Sequence, residues 1–490
     1  MHQDMNIAKH IKTGLMLMAL GMAGCEDKLL NLTPESVLTP TNFYKNAADI
    51  NQAVLGIYNS LQTRRQTDYL LMEVPADNLY MSANTTIAGS NDVDFLTVNA
   101  DNALTAAFWN TTYNGIFRAN AVLLNIDTPT NYAAGQKDQF IGEARFMRAL
   151  YYFDLLRVFG GVPKVVDKIS IGDAATLPKA SEEEIYGLII EDLTDAAAKL
   201  PARKSIATGR ASKGAAMALL GKVYVYRQDW ANAKTQLEKV INELDYKLVP
   251  DFASLWKLES EDNDEVIFTV KYVDGTNGQS LSTSYTPNGG LVGIADRGAE
   301  TSLPSWSLMK KFETGDKRKA ATVQEWWTSP AQPNAQPIYY PYVSKYAVKH
   351  SYGASGIDIP VLRYADIVLL YAETLFKLND KANALVQLNK VRERAFGNAT
   401  HNYKGTEATD FLDLILNERQ LELAYEHERW FDLVRTRKYL TVMKQEERLY
   451  NYAAKTPVVV DLMPKEFMKV YPIPQAQIDL SSGLKQNNGY

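Results

Sequence analysis

The sequence predicts an all-α protein in which a scaffold of paired helices is interrupted by long irregular insertions. Apolar residues recur three and four positions apart over much of the chain, as one face of a helix requires. A pattern of small and large residues at fixed positions occurs twice, and its two copies lie about 150 residues apart. The stretches 62–105 and 246–355 are instead rich in Gly, Ser, Thr, Asn, Pro and aromatic residues. Loops of such length in a compact protein are usually functional.

Periodicity predicts four helices in the first half of the chain. Their ranges are 47–61, 109–123, 139–159 and 185–200. The run Gly160-Gly161-Val162-Pro163 should end the third helix, because glycine and proline both interrupt helical backbone. Ser181 and Glu184 form a capping box for the fourth helix, and Pro201 closes it.

Two copies of one residue pattern begin at Gly221 and Ala372. In each copy the starting small residue is followed at plus 3, 12, 16 and 19 by a large, a small, a large and a large residue. These positions are Tyr224, Ala233, Leu237 and Val240 in the first copy, and Leu375, Ala384, Leu388 and Val391 in the second. The pattern is typical of tetratricopeptide helix pairs, in which small residues let two antiparallel helices approach closely.

The composition and the net charge of the chain limit the classes of function that the protein can have. The chain is 46% hydrophobic and 22% charged, as a folded globular protein is. Its formal net charge of −5 argues against binding to nucleic acid, which needs a basic face. There are 28 tyrosines and seven tryptophans but only five histidines. This balance favours binding through flat aromatic surfaces over acid–base chemistry.

The only cysteine, Cys25, follows a short N-terminus that is first basic and then apolar. Lys9 and Lys12 precede the apolar run 13–24, which has the length of a signal sequence and is too short to span a membrane. A lone cysteine in a secreted chain cannot form an internal disulfide, so we expect Cys25 to carry lipid. We predict a lipoprotein signal peptide over 1–24 and a lipidated tether over 25–41, with attachment to the membrane by the anchor alone. A leader cleaved nearby, with a spare thiol, is the alternative.

The sequence contains no recognisable catalytic framework. It lacks a Gly-x-Ser-x-Gly elbow, a phosphate-binding Gly-x-x-x-x-Gly-Lys loop, a His-Glu-x-x-His zinc motif and any cysteine pair. Glu418, Glu422 and Glu426 recur every four residues, as metal ligands or an acid–base pair on one helix face could. Arginines are interleaved with them, so we favour an ion-pair network between helices. We expect no enzymatic activity, no cofactor and no metal site.

Several blocks of the sequence resemble the SusD/RagB family, surface lipoproteins of glycan-foraging Gram-negative bacteria. The blocks are 143–163, 209–216, 363–392, 417–433, 471–474 and 484–490, and they occur in the family's order. Met22, Asp366 and Gln477 depart from residues that are more usual at their positions. The likeness extends from about Thr33 to Tyr490.

The resemblance implies a scaffold of four tetratricopeptide-like helix pairs and a ligand face built by the insertions. It divides one compact body into an N-terminal helical region (42–245), an aromatic-rich insertion (246–355) and a C-terminal helical region (356–490). It also implies a location on the outer face of the outer membrane and a partner, a SusC-like TonB-dependent transporter. The lipoprotein would cover this transporter as a lid and deliver oligosaccharides to it without catalysing a reaction.

Candidate ligand residues combine aromatic and polar side chains in the insertions, because sugars stack on aromatic rings and form hydrogen bonds through their hydroxyls. We predict the set Asp77, Asn78, Tyr80, Tyr285, Arg297, Trp306, Trp326 and Trp327. Trp109, Trp230 and Trp430 lie on helical stripes or at a repeat turn, and we assign them to the core.

Three functions are compatible with these residues. The first is capture of oligosaccharides by a non-catalytic lipoprotein, which fits the anchor, the insertions and the missing catalytic motifs. The second is capture of peptides on the same scaffold, because tetratricopeptide grooves suit extended chains. The third is a surface glycan hydrolase, since two suitably spaced carboxylates need no local motif.

Overall fold

The computed structural model describes residues 43–405, 410–451, 454 and 456–490. The predicted signal peptide 1–24, the tether 25–41 and Cys25 lie outside the described residues. No helix in the described ranges combines the length and the apolar character needed to cross a membrane.

Helices and short strands alternate along the described chain. The first part contains α1 (Ala47–Arg65), α2 (Tyr69–Met72), β1 (Leu79–Met81), α3 (Ser90–Asp94), α4 (Ala103–Asn125), α5 (Gln136–Phe159), α6 (Ile171–Ala174), α7 (Glu182–Lys199), α8 (Lys213–Tyr226) and α9 (Trp230–Glu243). The second part contains β2 (Val266–Val270), α10 (Leu281–Tyr285), β3 (Ser302–Pro304), α11 (Trp306–Met309), α12 (Arg318–Thr322), β4 (Val323–Trp327), β5 (Ile338–Val343), β6 (Ile359–Arg363), α13 (Tyr364–Lys377), α14 (Lys381–Phe396), α15 (Phe411–Leu423), α16 (Arg429–Arg435), α17 (Tyr439–Val442), β7 (Glu446–Asn451), β8 (Thr456–Val460) and α18 (Gln475–Leu480). Short 3-10 turns lie at Arg203–Ser205, Phe252–Trp256, Leu258–Ser260, Ala399–His401 and Glu466–Lys469.

The long helices form four consecutive pairs. They are α1 with α4, α5 with α7, α8 with α9, and α13 with α14. Each pair also packs on the next, through α4 and α5, α7 and α8, and α9 and α13. The expected tetratricopeptide-like scaffold is therefore confirmed, and the capping box at Ser181 and the helix stop at Gly160 are present as predicted.

Small residues hold the helices of the two predicted repeat copies close together. A Cβ atom added at Gly221 would lie 2.5 Å from Cδ2 of Leu237 on the partner helix. Ala372 and Ala384 are likewise fully buried between α13 and α14. These positions explain why the sequence pattern requires a small residue there.

The turns of the two copies share one backbone geometry. Gln228 and Asn379 both adopt a left-handed conformation, with φ of 59° and 65°. The next residue, Asp229 or Asp380, caps the second helix by accepting a hydrogen bond from a backbone N–H three residues on, at 3.3 Å in both copies. The repeated turn supports the interpretation that α8–α9 and α13–α14 are two copies of one helix–turn–helix unit.

The described residues form four two-stranded antiparallel ribbons. Strand β2 pairs with β6. The other ribbons are β1–β3, β4–β5 and β7–β8. Because β6 leads directly into α13, the β2–β6 ribbon joins the second insertion to the scaffold.

A buried ion-pair cluster fastens the insertion to the C-terminal helices. Arg363, which is 1% exposed, binds both carboxylate oxygens of Glu426 at 2.7 and 2.8 Å and one of Glu422 at 3.0 Å. Arg318 of the insertion contacts Glu418 at 2.7 Å. Burial alone would raise the pKa of Glu422, but the surrounding arginines outweigh it and hold that pKa well below its ordinary value.

The predicted ion-pair network is thus confirmed, with one change to its geometry. Helix α15 ends at Leu423, so Glu426 lies beyond the helix and reaches the cluster from an irregular segment. Tyr425 and His427, on either side of it, have φ of 66° and 70°. The described residues contain no group of three or more histidines, cysteines or carboxylates arranged to hold a metal ion.

Candidate functional site

Four aromatic side chains from separate elements meet on one surface, which we call the aromatic face. They are Trp306 at the start of α11, Trp326 of β4, Tyr339 of β5 and Tyr450 of β7. The rings of Trp306 and Tyr450 are stacked, with centroids 4.8 Å apart and an interplanar angle of 23°. Tyr339 lies 5.4 Å from Tyr450, 6.2 Å from Trp306 and 5.5 Å from Trp326. Trp326 is 59% exposed, so much of its ring is open to solvent.

Two hydrogen-bonded links position Trp306 within the aromatic face. Ser305 caps α11 by accepting a hydrogen bond from the backbone of Leu308 at 3.2 Å. The Ser305 hydroxyl itself donates to the carbonyl of Asp77 at 2.6 Å, which ties α11 to the segment before β1. Ser307 accepts a hydrogen bond from the backbone N–H of Glu447 at 2.8 Å, which ties α11 to β7. The stacking of Trp306 on Tyr450 is therefore fixed by the backbone on both sides.

The β4–β5 ribbon presents aromatic side chains on both of its faces, because successive residues of a strand point in opposite directions. Trp326 is paired with Tyr339 on the side of the aromatic face. Trp327 lies on the other side, where its indole N–H donates to the carbonyl of Gly290 at 2.8 Å. Its ring is 6.1 Å from that of Tyr340. Trp327 is partly buried, and its contacts attach the ribbon to the loop at 290.

Glu300 joins the two insertions beneath this ribbon. Its carboxylate accepts hydrogen bonds from the Tyr340 hydroxyl at 2.6 Å, from Asn84 at 2.9 Å and from the backbone of Asn288 at 2.9 Å. Glu300 is 4% exposed and has φ of 46°, so it is held in a strained conformation by these contacts. Such a buried, bonded carboxylate fixes the loops that support the aromatic face.

Three predicted ligand residues lie in the interior, which corrects their assignment. Asp77 and Asn78 are 1% and 0% exposed. Arg429 binds Asp77 through two hydrogen bonds of 2.6 and 2.9 Å. Burial alone would raise the pKa of Asp77, but Arg429 and Lys311 hold it well below its ordinary value. Both residues therefore serve to anchor the loop that positions Trp306.

Tyr285 is the third correction. It is 2% exposed, and its ring lies 5.5 Å from Tyr69, 6.1 Å from Tyr346 and 5.8 Å from Tyr425. This cluster packs the insertion onto the scaffold.

The remaining predicted residues are partly or fully exposed. Tyr80 is partly buried on β1, opposite Leu303 of β3, and β3 packs against β5. Arg297 is exposed, and its guanidinium lies 4.2 Å from the ring centroid of Tyr352.

Two residues of the aromatic face, Tyr339 and Tyr450, were not predicted. The run Ile338-Tyr339-Tyr340 was a possible signal for the first, whereas Tyr450 lies outside both insertions.

Two family models match this chain. A model described as "SusD family" matches residues 322–490, and one described as "Starch-binding associating with outer membrane" matches residues 28–225. Among relatives, SusD-like protein P2 of Formosa agariphila is 28% identical over 87% of this chain and 90% of its own length. Starch-binding protein SusD of Bacteroides thetaiotaomicron is 24% identical over 71% of this chain and 72% of its own length.

Solved structures share the same fold. A SusD-like protein from Bacteroides fragilis superimposes with a TM-score of 0.78 at 23% identity, covering 91% of this chain and 98% of that one. A laminarin-binding SusD-like protein superimposes with a TM-score of 0.76 at 24% identity, covering 91% of this chain and 100% of that one.

Proposed function

Because the chain belongs to the SusD/RagB family, we propose that it captures oligosaccharides at the outer membrane and catalyses no reaction on them. The observation that carries the proposal is the aromatic face. Trp326 offers an open ring beside the fixed stack of Trp306 and Tyr450. Sugar rings stack on such surfaces through their C–H faces.

The rigidity of the aromatic face supports binding without a large conformational cost. Trp306 is held from both sides by backbone hydrogen bonds, and Tyr339 contacts all three other rings. A ligand that stacks on a preorganised surface does not have to order it, so more of the contact energy appears as affinity. Tyr80 and Arg297 are further proposed ligand contacts, and Tyr80 lies on β1, whose partner strand β3 packs against β5.

The proposed setting is the outer leaflet, reached through a lipid on Cys25. A tether of this kind would keep the protein beside a SusC-like TonB-dependent transporter at high effective concentration. Oligosaccharide held on the aromatic face would then pass into the transporter when the two proteins close on each other. Relatives described as starch-binding and laminarin-binding support a glycan as the cargo.

A binding panel separates this function from its two alternatives. The purified protein would be incubated with neutral and acidic oligosaccharides and, separately, with a peptide mixture. Retention of an oligosaccharide without release of reducing ends supports the proposal. Retention of peptides but of no glycan would replace it with peptide capture, and release of reducing ends would indicate a hydrolase.

A further inference from the structure

A cavity of about 330 Å³ lies in the helical scaffold, formed by residues other than those of the aromatic face. It is open to solvent on one side and is bordered by the C-terminal ends of α5 and α8, the N-terminal end of α7, helix α16 and the 3-10 turn at 466–469. Its volume is within the range of about 300–1,000 Å³ that is usual for small-molecule sites.

Aromatic rings form much of the cavity wall. Tyr186, Tyr226 and Phe431 line it, and the guanidinium of Arg157 stacks on Phe431 at 4.2 Å from the ring centroid. Arg435 lies 5.6 Å from the ring of Tyr226 on the same side. The wall therefore combines flat apolar surface with the polar edges of two tyrosines.

Two residues of the cavity wall each carry a buried donor that has no hydrogen-bond acceptor in the described ranges of the chain. The donors are the hydroxyl of Tyr226 and Nε of Arg157, whose side chain is 7% exposed. Burial raises the pKa of Tyr226 well above its ordinary value, so the hydroxyl keeps its proton and can donate. A buried donor without an acceptor is unfavourable, and a ligand hydroxyl that reached it after a small side-chain rotation would remove that cost.

The charges around the cavity are already balanced. Arg157 donates to Asp154 at 2.6 Å, and Arg435 binds Glu373 through bonds of 2.6 and 2.7 Å. At the rim, Glu182 and Lys469 are exposed and of opposite sign. The three arginines that line the cavity are therefore already paired with carboxylates, and among the described lining residues the cation without such a partner, Lys469, lies at the rim. A ligand that accepts hydrogen bonds inside and donates them at the rim fits better than an anion.

We propose that this cavity is a saccharide site that takes one neutral mono- or disaccharide unit, separate from the aromatic face. Aromatic walls, two buried donors and a mixed-charge rim suit a polyhydroxylated ring, which offers apolar C–H surface together with hydroxyls that both donate and accept. The site goes beyond the proposed function, because binding there does not require the aromatic face.

Calorimetric titration of the purified protein with glucose, galactose, mannose and maltose at millimolar concentrations tests the proposal. At least one of these sugars should bind, and Tyr226→Phe should weaken its binding about tenfold, because it removes one buried donor and keeps the ring. Tyr224→Phe, the same substitution two residues earlier on α8, should leave affinity unchanged. Urea denaturation of both variants checks that they fold like the wild type.

Other outcomes would overturn the proposal. It fails if none of the four sugars binds, if Tyr226→Phe binds them like the wild type, or if Trp326→Ala alone abolishes all binding. In the last case, capture of oligosaccharides at the aromatic face would still be supported. If Tyr226→Phe does not fold, Gln228→Asn decides: it shortens a rim side chain at a left-handed position that asparagine tolerates. Unchanged affinity in that variant would equally refute the site.

Discussion

Alanine substitution of two helix glycines should change stability in opposite directions. Gly187 in α7 has nothing within 4 Å of an added Cβ, so Gly187→Ala should raise the free energy of unfolding by about 1 kcal/mol through helix propensity. At Gly221 in α8 the added Cβ would lie 2.5 Å from Cδ2 and 2.8 Å from Cγ of Leu237, which is fully buried. Overpacking a core costs about 1–3 kcal/mol, which exceeds the propensity gain.

The two variants should therefore differ by about 2 kcal/mol, with Gly221→Ala below the wild type. Urea denaturation followed by far-ultraviolet circular dichroism measures this difference, provided that the slope with denaturant is the same for all three proteins. Gly187→Ala is the matched control, since it makes the same chemical change in a neighbouring helix. Equal stabilisation by both substitutions would refute the close approach of α8 and α9, which is the physical reason given for the small residue in the repeat pattern.

Three further predictions address the ion-pair cluster, a buried carboxyl and the anchor. Arg363→Met should lower the free energy of unfolding by about 3–5 kcal/mol in urea titrations, because it leaves Glu422 and Glu426 short of a buried partner; a loss within error of zero would contradict this. Burial raises the pKa of Glu446 from 4.5 to about 8, so the folded state retains a proton that the unfolded state releases, and stability should fall as pH rises from about 5 to 8. Glu446→Gln should flatten that decline in the same titrations, and an unchanged slope would count against it. Cys25→Ala should leave oligosaccharide binding intact in the purified protein but release the protein from the membrane fraction, whereas normal surface retention would argue against the anchor.

Periodicity predicted where the scaffold helices lie, but it underestimated their ends. Helix α1 was predicted over 47–61 and extends to Arg65. Its last turn contains Arg64 and Arg65, which are 3% and 4% exposed. Charged residues do not count toward an apolar stripe, yet Arg64 is buried here through its ion pair with Asp154. Such pairs join distant parts of the chain and leave no local signal.

The same limit explains the partial success at the candidate site. Trp306 and Trp326 were predicted because tryptophans in an irregular insertion are conspicuous. Asp77 was assigned to the surface, although it is buried by Arg429, which lies 352 residues further along the chain. Tyr450 was missed for a similar reason, since only the fold brings β7 beside α11. Composition can suggest the residue types of a site, but not which of them face solvent.

The most direct test of the central claim is the affinity of Trp326→Ala for maltohexaose and laminarihexaose, measured by calorimetry. Trp326 is 59% exposed, and a sugar covering one face of its ring would bury about 70 Å² of apolar surface, worth about 2 kcal/mol. We therefore expect about thirtyfold weaker binding of whichever oligosaccharide the wild type binds. Phe117→Ala, which removes a 69% exposed aromatic ring from α4, should bind like the wild type. Wild-type affinity in Trp326→Ala would contradict capture at the aromatic face.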